Sequence, residues 1–330
     1  MVIGPNRPPP PAPPAPPGPG GAAPVGRHDF VESAHRGTAV VTGPGGEVLL
    51  EVGDSRGAVL PRSSSKPLQA VAMVRSGLSV LGPHLALACA SHSGEDVHLA
   101  GVREVLQGAG LTEADLQNTP DYPLDEAARI AWIATGLPKQ SLAQNCSGKH
   151  AAMLATCAAA GWDIAAYRDP AHPLQQAITG TVVDLTGGPV SAVAVDGCGA
   201  PIHAVPLVGL AQAFGRLASA ADGPEARVAS AMRDHPEYVG GTGRDVTALI
   251  AGVPGLVAKD GAEAVYAAGL ADGRGVAVKI ADGGTRACGV VLAAVLRRVG
   301  ITAAEPLAAL ETRPVLGHGE PVGAVVAVGL

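Results

Sequence analysis

Proline is concentrated at one end of this chain and limits the structures that end can adopt. Eleven of the first 27 residues are proline, in the run MVIGPNRPPPPAPPAPPGPGGAAPVGR. Proline fixes φ and lacks a backbone N–H, so a run this dense excludes a helix and the interior of a sheet. We therefore predict a disordered proline-rich tail over residues 1–27 and one globular domain over residues 28–330.

The remaining composition excludes several classes of protein. The 330 residues are 47% hydrophobic and 16% charged, which is enough to bury a sizeable core. A net charge of −6 without a long Lys/Arg run disfavours nucleic acid or an anionic membrane as a partner. The sequence contains neither the apolar region of a secretory signal nor a membrane span. We expect a cytoplasmic protein whose five cysteines are reduced.

Short apolar runs separated by glycine-containing turns predict a mixed fold. Residues 38–42 and 47–52 flank a Gly-Pro-Gly-Gly turn and predict a β-hairpin. Helical spacing of apolar residues predicts helices beginning near the serines at 63–65, after Glu95 and over 151–160. Later strands are predicted at 190–195, 255–259, 275–280 and 321–328, with a helix at 289–296. Strands at both ends with helices between them indicate an α/β (α+β) domain with a mainly antiparallel sheet.

Lysine is scarce in this chain, which makes each one informative. Of 23 basic residues only five are lysine: Lys66, Lys139, Lys149, Lys259 and Lys279. Lysine, unlike arginine, offers an amine whose pKa can fall until it acts as a base. Positions that keep lysine in an arginine-rich chain are therefore candidates for chemistry, although codon bias would also leave a few lysines by chance.

The sharpest local signal is Ser63-Ser-Ser-Lys66 at the predicted start of a helix. Residues three apart share a helical face, so the Lys66 amine would reach the Ser63 hydroxyl and take its proton. In isolation the same residues also suit a helix N-cap and a solvated lysine. Serine enzymes of this type add a serine triplet on a loop and a Lys-x-Gly on an edge strand. Ser91-His-Ser93 and Lys259-Asp-Gly261 follow here in that order.

Cys146 and Cys198 form a second candidate site, because each lies in a glycine-containing turn. A pair of thiolates would select zinc over magnesium or calcium, with His150, Asp196 or the amine of Lys149 completing the shell. Two buried thiols, or a disulfide between them, are the alternatives. The other three cysteines lie in apolar runs and are predicted to be core: Cys89, Cys157 and Cys288.

Two further glycine-rich segments have the composition of threonine loops found in other amide-hydrolysing enzymes. They are Thr186-Gly-Gly188 and Gly240-Gly-Thr-Gly243. Neither follows an N-terminal strand, so we predict that both are plain turns.

Five segments in order along the chain form a recognisable set. They are Arg62-Ser-Ser-Ser-Lys-Pro67, Cys89-Ala-Ser-His-Ser-Gly-Glu95, Asn145-Cys-Ser-Gly-Lys-His150, Asp196-Gly-Cys198 and Lys279-Ile-Ala-Asp-Gly283. Together they resemble the asparaginase II family, the rhizobial-type L-asparaginases. The resemblance runs from about His35 to the C-terminus, and the third segment is its most specific part. The segment Thr119-Pro-Asp-Tyr-Pro123 departs from the Cys-Gly-x-His pattern of that family.

This resemblance implies a serine β-lactamase-like or penicillin-binding-protein-like fold, with an antiparallel sheet flanked by helices and a helical subdomain. It also implies hydrolysis of L-asparagine to aspartate and ammonia through an acyl-enzyme, in a homodimer. The implied residues are the pairs Ser63 with Lys66 and Ser91 with Lys259, Arg62 and Asp196 at the substrate, and zinc on Cys146, Lys149, Cys198 and water. Lys279 competes with Lys259 for its role.

The chemistry of the residues narrows these roles but leaves alternatives. We expect Ser63 to be the nucleophile, Lys66 its base, and Ser91 with Lys259 a proton relay, although the two pairs are interchangeable at this stage. Zinc would orient the substrate, because a serine nucleophile makes metal hydroxide redundant. A glutaminase, a penicillin-recognising hydrolase and a zinc-stabilised binding module are the alternative functions.

Overall fold

The computed structural model describes residues 21–27, 30–302 and 305–330. These residues combine helices with antiparallel strands, and every strand pair among them is antiparallel. The expected fold class, an antiparallel sheet flanked by helices, is confirmed.

The strands and helices follow one another in a mixed order. The strands are β1 (Ala22–Arg27), β2 (Phe30–Thr42), β3 (Val48–Val52), β4 (Ala58–Val59), β5 (Ala192–Val195), β6 (Pro201–Pro206), β7 (Val257–Gly261), β8 (Val265–Gly269), β9 (Gly275–Ile280), β10 (Thr312–Gly317) and β11 (Glu320–Val326). The helices are α1 (Lys66–Arg75), α2 (Gly82–Ala88), α3 (Asp96–Gly108), α4 (Glu126–Ala134), α5 (Ser147–Ala160), α6 (Pro173–Thr186), α7 (Leu207–Ser219), α8 (Gly223–Asp234), α9 (Pro236–Val239), α10 (Asp245–Gly252), α11 (Cys288–Arg298) and α12 (Glu305–Leu310).

Strand β7 lies at one edge of the main sheet. In the described part of the chain the main sheet has eight strands in the order β10-β11-β1-β2-β9-β8-β7, with β3 also paired to β2. A smaller sheet of three strands has the order β4-β6-β5. Strand β7 therefore ends the main sheet, and this position leaves one side of it free to meet the turn before α1.

The boundary predicted for the proline-rich tail is wrong at its C-terminal end. Residues 22–27, predicted to be disordered, form β1 and pair with β2 from Ala22 to Arg27. The dense proline run ends at Pro19, and Pro24 is tolerated because β11 is registered to β1 only at Val25. Residues 1–20 of the predicted tail lie outside the described residues.

Most predicted elements occur where the pattern placed them. The hairpin is β2 and β3, the helix after the serines is α1 with Pro67 in its first turn, and the helix after Glu95 is α3. The cysteines predicted to be core, Cys89, Cys157 and Cys288, are buried, and all five cysteines are free thiols. Among the described helices, none has both the length and the apolar character needed to cross a membrane.

Helix α7 packs so closely on the main sheet that two strand positions exclude any side chain. A Cβ at Gly275 would lie 1.8 Å from the Ala211 carbonyl oxygen, and a Cβ at Gly269 would lie 1.9 Å from that of Phe214. Because both obstacles are backbone atoms, the helix as a whole would have to move away from the sheet. Glycine at these positions therefore sets the distance between the two layers.

We predict that Gly275→Ala lowers the free energy of unfolding by about 3 kcal/mol, because the added methyl forces α7 off the sheet. Urea unfolding followed by circular dichroism measures this change. Gly180→Ala is the matched control, since nothing lies within 4 Å of a Cβ at that position in α6. It should be neutral or stabilising by up to about 1 kcal/mol. Equal effects of the two substitutions would contradict the packing argument.

Candidate active site

Ser63 lies on a strained turn that presents its side chain differently from its neighbours. Arg62–Ser65 form a 3-10 turn, and Arg62 begins it with φ 51°, a left-handed conformation that is rare for a residue with a side chain. The Ser64 and Ser65 hydroxyls are used by the turn itself, donating to the carbonyls of Pro61 and Arg62 at 2.6 and 2.8 Å. Ser63 is partly exposed, so of the three serines it is the one open to a ligand.

Strand β7 meets this turn directly, which explains the glycine of Lys259-Asp-Gly261. A Cβ at Gly261 would lie 2.6 Å from the Pro61 carbonyl oxygen and 3.4 Å from the Ser63 backbone nitrogen. The edge strand therefore packs backbone to backbone against the serine turn, and only glycine permits this approach. The serine motif and the Lys-x-Gly segment of the edge strand are therefore in contact.

The hydrogen bond of Lys66 differs from the pairing that the resemblance implied. Lys66, in the first turn of α1, is buried, and its Nζ donates to the Ala90 carbonyl at 2.5 Å and to Ser91 Oγ at 3.1 Å. The expected partner was Ser63. The direction of α1 carries the amine inward to the end of α2, whereas Ser63 lies on the side of β7. Lys66 thus joins the Ser63 turn to the Ser91 loop.

Lys259 also has a different partner from the one implied, which was Ser91. Its side chain is buried, and Nζ donates to the carbonyl oxygen of Asp260 at 2.8 Å and to the Asp260 carboxylate. Burial and the nearby Lys66 ammonium lower the pKa of Lys259 to about 8, while Asp260 opposes this fall. An amine with that pKa can both give and accept a proton near neutral pH.

Lys279, the competitor of Lys259, lies behind the β7–β8 turn. Its Nζ donates to the carbonyls of Glu263 at 2.5 Å and Ile280 at 2.7 Å. It therefore supports the turn. Lys259 lies on β7, the strand that contacts the Ser63 turn, and so is closer to the proposed site.

The residues of the second candidate site come together in one buried cluster. Cys146, at the start of α5, packs with Cys198 and Ala200 of the turn between β5 and β6. Lys149, one turn further along α5, donates from Nζ to the Cys198 sulfur at 3.1 Å. All three predicted ligands are buried. His150, an alternative ligand, is instead hydrogen-bonded through Nδ1 to the Tyr167 hydroxyl at 2.7 Å.

The charges of this cluster are strongly coupled. A hydrogen bond from the Cys146 thiol and the Lys149 ammonium together outweigh the effect of burial and lower the pKa of Cys198 to about 4. The same hydrogen bond and burial raise the pKa of Cys146 to about 12. Burial disfavours the charged form of Lys149, but the two sulfurs outweigh it and raise the pKa of the amine. A thiolate and an ammonium therefore neutralise each other in the buried cluster.

Two of the three donors in this cluster, the cysteine sulfurs, are ligand types that zinc takes, and Lys149 would add a less usual amine nitrogen. The positive charge that Lys149 now places beside Cys198 is consistent with a cation at that position. With metal bound, Cys146 and Lys149 would have to lose their protons, because only thiolate and neutral amine act as ligands.

The remaining predicted residues link the cluster to the serine turn. Arg62 Nε donates to Asp196 Oδ1 at 2.6 Å, and Asp196 Oδ2 lies 3.9 Å from the Cys198 sulfur. Burial alone would raise the pKa of the Asp196 carboxyl, but Lys149 and Arg62 outweigh burial and lower this pKa. Arg62 and Asp196 therefore form a charged pair between Ser63 and Cys198, beside which a zwitterionic ligand would find both signs of charge.

The loop that departs from the family pattern nevertheless adjoins the site. Thr119 Oγ1 donates to the Gly197 carbonyl at 2.9 Å, and the Thr119 backbone N–H donates to the Cys198 carbonyl at 3.3 Å. At its other end, a Cβ at Gly94 would lie 2.8 Å from Pro123. The segment 119–123 therefore joins the Cys198 turn to the Ser91 loop.

Sequence reasoning missed a further group of residues. The segment 240–243, predicted to be a plain turn, contacts the Ser91 loop. The Ser93 N–H donates to the Gly240 carbonyl oxygen at 2.8 Å. Thr242 donates from its N–H and its hydroxyl to Glu95, and Arg244 Nη2 donates to Asp260 Oδ2 at 3.0 Å. The arginine directly after this glycine-rich run was the available signal.

Some solved structures are similar to this chain at low sequence identity. The structure described as "Crystal Structure Analysis of Mglu in its native form" is 16% identical, with a TM-score of 0.43, and the alignment covers 80% of this chain and 63% of that one. "Crystal Structure Analysis of Mglu in its glutamate form" is 17% identical, with a TM-score of 0.36, covering 80% and 61%. The chain thus spans less than two thirds of the length of these structures. The search of curated proteins found no match.

The family comparison is far more extensive. The family described as L-asparaginase II matches residues 23–327, nearly the whole chain. This match defines the class of protein to which the chain belongs. The chain belongs to the L-asparaginase II family.

We predict that Gly261→Ala lowers kcat/KM for amide hydrolysis by about 100-fold, because the added methyl displaces the Ser63 turn by contact with its backbone. Ammonia release measures the loss. Gly188→Ala is the control, since nothing lies within 4 Å of a Cβ at that surface glycine. Full activity of the Gly261→Ala variant would show that the contact does not position Ser63.

Proposed function

We propose that this protein is an L-asparaginase with Ser63 as its nucleophile. The observation that carries the proposal is the contact of three motif segments: Gly261 lies against the Ser63 turn, and Lys66 of the same motif donates to Ser91. Family membership supplies the amide substrate. The adjacent Arg62 and Asp196 pair suits the carboxylate and ammonium that a free amino acid carries.

In this proposal the Ser63 hydroxyl attacks the side-chain carboxamide carbon of L-asparagine. Its proton passes to the neutral amine of Lys66, which must first turn from Ser91 toward Ser63. Ser91 with Lys259 carries a proton to the leaving amide nitrogen, so ammonia departs and a β-aspartyl ester remains on Ser63. Water then attacks the ester, the same groups return the proton to Ser63, and aspartate leaves. The backbone N–H groups of the strained turn are the donors proposed for the oxyanion.

Zinc forms a separate part of the proposal. Cys146, Lys149 and Cys198 would hold it, and when bound it would supply positive charge that orients the substrate. Asp196 lies between this cluster and Arg62, so its carboxylate is placed to bind the substrate ammonium or a water of the cluster. Asparagine and glutamine differ by one methylene, worth about 1–3 kcal/mol in a pocket, so we propose asparagine as the preferred substrate and test glutamine beside it.

We predict that Ser63→Ala abolishes ammonia release from L-asparagine, with a loss of at least about 10⁴-fold in kcat, because no other group forms the ester. The zinc content should stay unchanged. Ser64→Ala is the matched control, because the Ser64 hydroxyl is used within the turn; it should keep kcat within about threefold. Substantial activity in the Ser63→Ala protein would exclude Ser63 as the nucleophile and favour Ser91.

We predict that removing zinc by chelation raises the KM for L-asparagine about tenfold and leaves kcat largely unchanged, because the metal orients substrate without making the nucleophile. Metal analysis of the same samples and of a Cys198→Ser variant reports the site directly: the variant should lose its zinc. Cys157→Ala, which changes a buried thiol in the middle of α5, should retain the metal. Loss of kcat in proportion to zinc would contradict an orienting role.

A further inference from the structure

The amine of Lys259 is held by one neighbouring side chain. Lys259 is fully buried at the edge of the main sheet, and its Nζ donates to both the carbonyl oxygen and the carboxylate of Asp260. Successive residues of a strand point to opposite faces, so the lysine side chain must fold back around the strand edge to reach its neighbour.

The other carboxylate oxygen of Asp260 is fixed by a residue from a different element. Arg244 Nη2 donates to Asp260 Oδ2 at 3.0 Å. Arg244 directly precedes α10 and follows the segment 240–243, which is fastened to the Ser91 loop through Thr242 and Glu95. The carboxylate is therefore held between the lysine and the arginine, and its position is coupled to that of the serine loop.

The charged groups that face Lys259 come from several elements. The charged groups are Asp260 on β7, Lys66 on α1, and Arg244 and Asp245 at the start of α10. The thiol of Cys89, after α2, also faces Lys259 and is neutral. Lys66 and Arg244 disfavour the charged amine, whereas Asp260 favours it and is in direct contact. A buried ammonium needs such a partner to stay both charged and in place.

We propose that Asp260, clamped by Arg244, is the positioning residue that holds the Lys259 amine in place for proton transfer. This inference rests on the proposed function, because it assigns to Lys259 the proton relay of the amide hydrolysis. Asp260 itself contacts no reacting atom in this proposal. It acts through Lys259 by fixing the direction of the amine and by keeping its proton available near neutral pH.

Removing the charge of Asp260 should therefore have two separable effects. In Asp260→Asn the buried amine loses its anionic partner, so its titration midpoint falls by about one pH unit. Because the charged amine gives its proton toward the leaving nitrogen, the falling limb of kcat against pH moves to lower pH by the same amount. The plateau of kcat falls by about 100-fold because the amine is no longer held in place, while KM stays within about threefold.

The scarcity of lysine allows the amine to be observed directly. Protein grown with ¹³Cε-labelled lysine has five labelled side chains, and Lys259→Arg identifies the signal of Lys259 by its loss. Titration of that signal by NMR gives the protonation of the amine without any assay of activity. The same samples, assayed for ammonia release from L-asparagine across pH, give kcat and KM.

Matched variants separate positioning from general damage to the fold. Asp272→Asn removes a carboxylate from the turn between β8 and β9, where its partner is Arg274, and should change neither the titration nor kcat. Asp260→Glu keeps the charge but moves it, so the midpoint should stay near that of the unchanged protein while kcat falls about tenfold. This variant serves also if Asp260→Asn does not fold.

The Lys259 titration and the kcat values together test whether Asp260 positions the Lys259 amine. An unchanged Lys259 titration in Asp260→Asn, or unchanged kcat in Asp260→Asn and Asp260→Glu, would overturn the positioning role. The same changes in Asp272→Asn would assign the effect to the fold in general. If the unchanged protein releases no ammonia from either amide, the proposed function fails, and the lysine titration still decides whether Asp260 holds Lys259.

Discussion

A buried lysine amine costs several kcal/mol unless a partner accepts its protons, and this protein buries three of its five lysines around one site. Lys66 donates to neutral oxygens, Lys149 to a cysteine sulfur and Lys259 to a carboxylate. Two of these partners lie in loops, after α2 and between β5 and β6, and the third lies near the end of β7. The hydrogen bonds of the buried amines therefore tie together the segments that carry the proposed chemistry.

The sequence indicated that the lysines are candidates for chemistry but not which groups they contact. Scarcity singled out all five lysines, and three of them, Lys66, Lys149 and Lys259, are buried. The partner of each amine depends on the direction in which a helix or strand carries its side chain, which spacing along the chain does not contain. For this reason the bonds of Lys66 and Lys259 differ from the implied pairs.

The elements were predictable where local chemistry decides them and less so elsewhere. The hairpin of β2 and β3 follows from its turn residues, and the helix start near Pro67 follows from a proline that is tolerated only in the first turn. Strand β1 depends on pairing with β2 and β11, which lie at distant places in the chain, so composition alone assigned it to the tail. Arg244 and Asp260 were missed for the same reason, because their contact joins a loop to a strand edge.

Backbone strain is concentrated where the edge strand meets the serine turn. In the described part of the chain, four residues other than glycine have positive φ, and three of them, Arg62, Glu263 and Ala264, flank this junction. Lys279 supports the strained β7–β8 turn by donating to the Glu263 carbonyl. Such conformations cost about 1–3 kcal/mol each and persist only when surrounding packing enforces them. The close packing of α7 on β8 and β9 gives the sheet that rigidity, so the packing of the core helps to hold Arg62, and with it the turn that carries Ser63, in a conformation that is disfavoured locally.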